Sequence, residues 1–181
     1  MNKEKLVIKF FDGNGIEIAE IALTDPTVEA YNEGINLTKN NKIEQAIKAF
    51  ERAIEIEPRF VGAHYNLGVS YYALNRREEA RQEYEIVLNL QPNDVDALNN
   101  LGAIYAFSGE LEQAKDLFDK ALTIDPHFAL THRNLAAYYK RKGNILKIAE
   151  HAKKARELDK EVFDREPGPP RLGHMYVERD K

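Results

Sequence analysis

The chain has 181 residues, of which 43% are apolar and 31% charged, with a formal net charge of −4. This apolar content supports a packed core, and the mild charge gives no general reason to expect a nucleic-acid partner. The sequence contains no cysteine, which excludes disulfides, thiolate metal sites and cysteine nucleophiles.

The first predicted unit is a β-hairpin over residues 1–24. Apolar and β-branched runs at 5–11 and 16–23 flank a Gly-rich turn at 12–15. The apolar phase shifts along the second run, which predicts a bulge near Ala19. We expect the hairpin either to close one end of the fold or to offer an edge on which another chain can pair.

No leader or membrane segment is predicted. The apolar run at 6–11 is interrupted by Lys9 and is too short for a signal peptide or a membrane span. We therefore expect no membrane insertion and a cytoplasmic location.

A spacing of 34 residues recurs through the rest of the chain. Five kinds of residue recur at this spacing: proline, glycine, alanine, asparagine and a large aromatic residue. The positions are Pro58, Pro92 and Pro126; Gly34, Gly68 and Gly102; Ala46, Ala80 and Ala114; Asn32, Asn66, Asn100 and Asn134; and Phe50, Tyr84 and Phe118. This period is typical of stacked helix-turn-helix units. We therefore predict an all-α solenoid of four such repeats, 27–60, 61–94, 95–128 and 129–162, within a domain spanning 25–165.

Local signals mark the helix ends. Asp25 is a good N-cap, and Pro26 suits the first helical turn. Turns at 39–42, 74–77, 108–110 and 142–144 divide the four units. The second helix of a unit should end just before Glu57-Pro58, Gln91-Pro92 or Asp125-Pro126, because the residue before a proline disfavours helical backbone.

Two units carry the most specific pattern. One reads His64, Leu67, Gly68, Tyr71, Ala80, Tyr84, Val87 and Pro92, and the next reads Leu98, Leu101, Gly102, Tyr105, Ala114, Phe118, Ala121 and Pro126. Both resemble the tetratricopeptide repeat, and the match covers about three quarters of the chain. The resemblance implies a right-handed superhelix whose first helices line a concave, partner-binding groove. It does not identify a partner.

The repeated small residues have a packing interpretation. Gly68 and its equivalents should lie where the two helices of a unit approach closely, with Ala80 and its equivalents facing them. The rings represented by Tyr84 should fill the space toward the next unit. The fourth unit departs from this pattern at Ala136, Ile148 and Lys160, as an end unit should. Its last helix is predicted to run to about Asp164, before a flexible tail at 166–181.

The sequence contains few of the motifs that indicate catalysis. There is no glycine-rich phosphate loop, and the five histidines lack the spacing of a helical metal pair. His64 and His132 occupy the same repeat position, where packing explains them. We predict no enzyme activity, no catalytic or metal site and no cofactor.

The groove is the predicted site. Asn32, Asn66, Asn100 and Asn134 should form a row with one carboxamide per unit, and a carboxamide can both donate to and accept from a peptide backbone. The row resembles the asparagine ladder of the O-linked N-acetylglucosamine transferase repeat domain, which holds an extended peptide. The alternative is that asparagine is simply common at this position of the repeat. Both interpretations are open.

Neighbouring groove positions change from aromatic to basic along the array. The predicted peptide-binding residues beside the row are Tyr31, Tyr65, Tyr72, Asn99, Arg133 and Lys140. Tyrosine is a frequent anchor at interfaces. Residues 129–181 carry 13 Lys/Arg and 8 Asp/Glu, against 13 and 22 elsewhere, so this end could attract an acidic element. A mixed, solvated helix face is the favoured explanation of the same charges.

These features favour a non-enzymatic adaptor that binds a peptide segment of a partner protein in the concave groove. The alternatives are a scaffold that self-associates through the hairpin as a homo-oligomer, and a regulatory subunit of a larger complex. No nucleic-acid partner is expected, because the basic residues do not alternate with base-stacking aromatics.

Overall fold

The computed structural model describes residues 25–158 in full and the backbone of 6–11 and 17–23. Eight helices follow one another in the described chain. They are α1 (Pro26–Lys39), α2 (Ile43–Ile56), α3 (Val61–Ala73), α4 (Arg77–Leu90), α5 (Val95–Ser108), α6 (Leu111–Ile124), α7 (Ala129–Arg141) and α8 (Ile145–Leu158). Helices pack most closely in the pairs α1–α2, α3–α4, α5–α6 and α7–α8, and each pair packs on the next. The result is an all-helical solenoid.

Two short strands precede the helices. Strands β1 (Leu6–Phe11) and β2 (Glu17–Leu23) pair antiparallel, with Val7 opposite Ala22 and a register shift between Phe10 and Phe11. The predicted turn between them lies outside the described residues. The hairpin as an element of the fold stays a prediction. So does the division into a hairpin, four units and a tail, since 159–181 also lies outside the described residues.

The predicted helix start at Asp25 is confirmed. Its side chain accepts a hydrogen bond from the backbone N–H of Thr27 at 2.8 Å, and Pro26 occupies the first helical turn. The proline stops are also confirmed, because α2, α4 and α6 end two residues before Pro58, Pro92 and Pro126. The predicted extension of the last helix to about Asp164 lies outside the described residues, which end at Leu158.

The turn inside each helix pair uses one backbone conformation. Asn41, Asn75, Gly109 and Gly143 are 34 residues apart and all have positive φ angles, of 58°, 63°, 87° and 71°. Only residues that tolerate the left-handed region fit there, which explains why each of the four turns has asparagine or glycine at this position.

The core is built from rings that lie against glycines. A Cβ added at Gly34 would approach Phe50 Cε1 to 2.5 Å, and one at Gly102 would approach Phe118 Cε1 to 2.7 Å. The sequence interpretation directed these rings toward the next unit and was wrong in that respect, because the atoms nearest to each added Cβ belong to a ring of the same helix pair. Gly68 has slightly more room, since its added Cβ would lie 3.0 Å from Tyr84 Cε1.

Candidate functional site: the groove and its inter-repeat hydrogen bonds

The asparagine row forms hydrogen bonds between successive helix pairs. Asn66 Nδ2 donates to the hydroxyl of Tyr31 at 3.0 Å, and Asn100 Nδ2 donates to the hydroxyl of Tyr65 at 3.1 Å. In each bond the donor stands 35 residues after the acceptor, one repeat plus one residue. The row therefore fixes how one repeat is placed against the next.

Burial limits what the middle of the row can offer a partner. The exposed fractions of Asn66 and Asn100 are 7% and 5%, and Tyr65 is 2% exposed. Tyr31 is also buried, with its ring 4.9 Å from that of Phe60 in an edge-on contact. These side chains serve inter-repeat packing, a use that the groove prediction did not include.

The last inter-repeat contact uses different chemistry. Asn99 stands where the preceding repeat has Tyr65, and its carboxamide oxygen accepts from Asn134 Nδ2 at 2.9 Å and from Thr131 Oγ1 at 3.0 Å. Because a short carboxamide replaces a tyrosine ring there, the third and fourth repeats are joined with less aromatic packing. Asn134 is half-buried, unlike Asn66 and Asn100.

A pocket of about 130 Å³ lies between the first helices of the last three repeats. We call it the groove pocket. Its lining residues are Tyr72, Ala103, Ala106, Phe107, Phe118, Asn134, Ala137, Tyr138 and Arg141. Three alanines and Phe118 make the lining mainly apolar, while Asn134 and Arg141 add polar groups. Such a mixture suits one apolar side chain held by a few oriented polar contacts.

Two arginines lie at the groove pocket, Arg141 in its lining and Arg77 over the ring of Phe107. The guanidinium carbon of Arg77 lies 3.5 Å from the centre of the Phe107 ring, and that ring is 56% exposed. Arg141 donates to the carbonyl oxygen of Ala106. Lys140 is exposed and Arg133 is half-buried on the same helix, α7. An acidic group near the pocket would therefore be attracted.

The predicted site residues fall into separate places. Tyr72 and Asn134 meet at the groove pocket. Asn32 lies in a second concavity, of about 430 Å³, on α1 and the turn after it, together with Glu29 and Glu33. The sequence prediction did not include Phe107 and Arg141. The small residues Ala103 and Ala137, one period apart, are the pattern that indicates space on this face of the first helices.

Two equivalent histidines have different partners. His64 Nε2 and His132 Nε2 bond the carbonyls of Pro58 and Pro126, each at 3.1 Å. His64 Nδ1 faces Glu83 Oε2 at 2.7 Å, whereas His132 Nδ1 faces His151 Nδ1 at 3.0 Å. Glu83 and His151 are 68 residues apart, as are the two histidines, so repeat four has a histidine where repeat two has a carboxylate.

The pKa values of His64 and His151 are shifted in opposite directions. A carbonyl accepts only, so each Nε2 carries hydrogen. His64 Nδ1 then also needs hydrogen to bond the Glu83 carboxylate, which makes His64 an imidazolium. Burial alone lowers the pKa of His64, but the hydrogen bonds to Glu83 and the Pro58 carbonyl and the charge of Glu83 outweigh it and leave the pKa raised. Burial, and then the neighbouring His132, lower the pKa of His151.

No described helix has both the length and the apolar character needed to cross a bilayer. No described group of three or more His, Asp or Glu side chains could hold a metal ion.

The stacked helix pairs and their 34-residue spacing define a helical-repeat solenoid. Models of the TPR repeat match residues 34–75 and 68–107, and a tetratricopeptide repeat model matches 95–128. These ranges are continuous from 34 to 128 and cover more than half of the chain, which therefore belongs to the tetratricopeptide repeat family. The suspected resemblance is confirmed. This fold typically serves as a non-catalytic scaffold for protein interaction.

Solved structures share the solenoid. MamA (41-end) from Desulfovibrio magneticus RS-1 is 27% identical, with a TM-score of 0.67 over 76% of this chain and 77% of that chain. Pseudomonas aeruginosa pilF is 22% identical, with a TM-score of 0.67 over 75% of this chain and 62% of its own. The first TPR of Spaghetti (RPAP3), bound to the HSP90 peptide SRMEEVD, is 18% identical, with a TM-score of 0.63 over 65% and 94%. The last two share the fold alone. Curated proteins gave no significant match.

Proposed function

We propose that this protein is a non-enzymatic adaptor that binds a peptide segment of a partner protein in its concave groove. The observation that carries the proposal is the groove pocket, an apolar cavity with arginines beside it between first helices. An apolar side chain would enter between Ala103 and Ala137, and an acidic residue next to it would meet Arg141 and Lys140. The RPAP3 structure of the same fold carries a peptide with two glutamates.

The proposal divides the predicted site residues into two roles. Tyr72, Asn134, Arg133 and Lys140 would contact the peptide, because their side chains are half-buried or exposed. Asn32 would contact it at the other end of the array. Asn66, Asn99, Asn100, Tyr31 and Tyr65 would act indirectly, by fixing the curvature of the groove through their inter-repeat contacts.

A random-peptide library selected on the protein tests this function. We expect the selected sequences to combine one apolar residue with Asp or Glu within a few positions. Ala137→Phe should fill the groove pocket and weaken the binding of a selected peptide at least tenfold, a change of about 1.4 kcal/mol. Arg141→Glu should weaken it by repelling the acidic residue.

Matched controls separate pocket binding from surface charge. Ala149→Phe and Lys153→Glu alter exposed residues of α8 that do not line the pocket, and both should leave peptide affinity unchanged. Selected peptides that bind Ala137→Phe as tightly as the unaltered protein would exclude the groove pocket as the site.

A second proposal is self-association through the N-terminal hairpin. The sheet of described residues has two strands, β1 and β2, so each strand has one edge that no other described strand covers. Such edges are templates for pairing with another chain. Light scattering after size-exclusion chromatography should then give a concentration-dependent dimer that is lost when residues 1–24 are removed. A monomer at every concentration would exclude this role.

A further inference from the structure

We propose that the His132–His151 contact is an acid-sensitive latch that holds α8 on α7, and that the equivalent His64–Glu83 contact responds to acid in the opposite direction. The inference goes beyond the proposed function, because it concerns the stability of the last helix pair and needs no partner. It rests on the geometry of the two contacts and on how few side chains of α8 are fully buried.

The hydrogen positions on the rings of His132 and His151 follow from their partners. His132 Nε2 carries hydrogen because it donates to the Pro126 carbonyl. Its Nδ1 is therefore an acceptor when the ring is neutral, and His151 Nδ1 must supply the single hydrogen in the 3.0 Å gap. One further proton leaves this bond in place, because either ring can become the cation while a single hydrogen stays between the two Nδ1 atoms. When both rings are protonated, two N–H groups stand opposite each other. The hydrogen bond is then lost and repulsion replaces it.

Other charged groups near the pair do not take the place of Glu83. Glu150 and Lys147 of α8 lie close to His151, but they pair with each other at 2.8 Å. Asp119 of α6 also lies near His151 and is held by Lys115. On the side of α7, the ring of Tyr139 stacks on His151 with centres 5.4 Å apart. Both nearby carboxylates are therefore already paired with lysines.

Helix α8 packs along α7 but buries few of its side chains. Ala155 is the single fully buried residue among its described positions. Ile145 and Leu146, at its start, are 77% and 84% exposed. In contrast, α4 buries Ala80, Tyr84 and Val87. Loss of one hydrogen-bonded contact therefore removes a larger share of the docking of α8 than it would for α4.

The pKa directions agree with this geometry. The pKa of His151 is lowered from 6.5, so the undocked ring binds a proton at a pH where the docked ring does not. Docking is therefore fully favoured above 6.5 and is lost as the pH falls toward the lowered pKa. The pKa of His64 is raised, so its contribution is present below 6.5 and is lost as the pH rises through the raised value.

Hydrogen exchange followed by mass spectrometry tests the latch, with rates corrected for the intrinsic pH dependence of exchange. Between about pH 7.5 and 5.5, protection of α8 amides should fall relative to α4, by up to tenfold per pH unit for one linked proton. His151→Glu copies the pair of repeat two and should abolish or reverse this fall. The reciprocal variant Glu83→His should make α4 acid-sensitive.

His151→Gln serves as the conservative control. Its amide can donate to His132 Nδ1 and does not titrate, so protection of α8 should become independent of pH. This variant also keeps the test decisive if His151→Glu does not fold. The inference is overturned if α8 protection in the unaltered protein does not change over this pH range, or if His151→Gln shows the same fall.

Acid would also affect the groove, because α7 carries Asn134, Tyr138 and Arg141 into the groove pocket. Unlatching α8 should therefore weaken peptide binding at low pH. This consequence, unlike the latch itself, rests on the proposed function. The exchange experiment contains no peptide, so failure of one proposal leaves the other standing.

Discussion

The second and fourth helix pairs share a plan and differ in how they are held. In the second pair, Tyr84 lies against Gly68 and is fully buried. In the fourth, Ala152 stands at the ring position and Ala136 at the glycine position, while Ile148 replaces the small residue represented by Ala80. The volume lost with the ring is partly replaced by the methyl group of Ala136 and the larger side chain of Ile148, and Ala136, Ile148 and Ala152 all remain partly exposed.

Helix pairs built on one repeat plan can therefore differ in how many side chains they bury. A continuous cluster of buried side chains runs from α1 to α5, and a smaller one joins α6 to α7. Because each unit of a solenoid is stabilised by its neighbours, the last pair receives support from one side within the described chain. The pair with the fewest buried side chains on its second helix also carries Arg133, Lys140 and Arg141, the basic residues on α7.

Removal of a central ring should produce the largest effect. Phe118→Ala should lower the free energy of unfolding by about 3–5 kcal/mol, because the ring is fully buried against Gly102. Ile148→Ala, in the fourth pair, should cost less, about 1–2 kcal/mol, since the side chain is only partly buried. Urea denaturation measures both, and equal losses would contradict the proposed difference between the pairs.

Loss of the inter-repeat hydrogen bonds should come next. Asn100→Ala removes the buried hydrogen bond from Asn100 Nδ2 to the hydroxyl of Tyr65 and should cost about 1–3 kcal/mol. Asn134→Ala should cost less, because Asn134 is only half-buried. If Asn100→Ala keeps full stability but loses peptide affinity, the asparagine row is a direct binding element.

Alanine at the three glycines should give graded effects. The added Cβ meets the ring most closely in Gly34→Ala, then in Gly102→Ala and least in Gly68→Ala. Overpacking of about 1–3 kcal/mol is opposed by about 1 kcal/mol of helix propensity, so Gly68→Ala should be nearly neutral. Ala136→Gly, at the equivalent site of the fourth pair, should destabilise by about 1 kcal/mol. Melting temperatures in any other order would contradict the ring contacts.

The smallest effects are expected at the turns. Asn75→Gly should stabilise by less than about 1 kcal/mol, because glycine adopts positive φ without a steric cost. Gly109→Ala should destabilise by about 1 kcal/mol through the backbone alone, since an added Cβ there meets no atom within 4 Å. Thermal unfolding of both variants checks this, and a stabilised Gly109→Ala would exclude the backbone explanation.

The sequence predicted the helical repeat well, and it did so for local reasons. Proline stops, the Asp25 cap and the turn residues act within a few positions of the chain, so they can be read without coordinates. The glycine positions were also correctly placed at close approaches. The residue that faces each glycine was not predicted correctly, because either a ring or an alanine could have filled the space beside Gly68.

The candidate site was harder to predict, because it depends on the rotation between repeats. Asn66 was placed in the groove from its repeat position, but its bond to Tyr31 needs the neighbouring unit to be turned so that the two side chains meet. The groove pocket joins Tyr72, Asn134 and Arg141 from two different helices for the same reason.

By itself, the sequence determined the solenoid, its period and its helix boundaries, because these follow from backbone preferences and from a pattern repeated at fixed spacing. Only the tertiary structure decided which side chains meet between units and within a helix pair. His64 and His132 occupy the same repeat position, yet their Nδ1 atoms meet different partners. Glu83 favours the charged form of His64, whereas His151 forms a hydrogen bond with His132. Protonation depends on the atoms in contact, and these come from segments 19 residues apart that folding brings together.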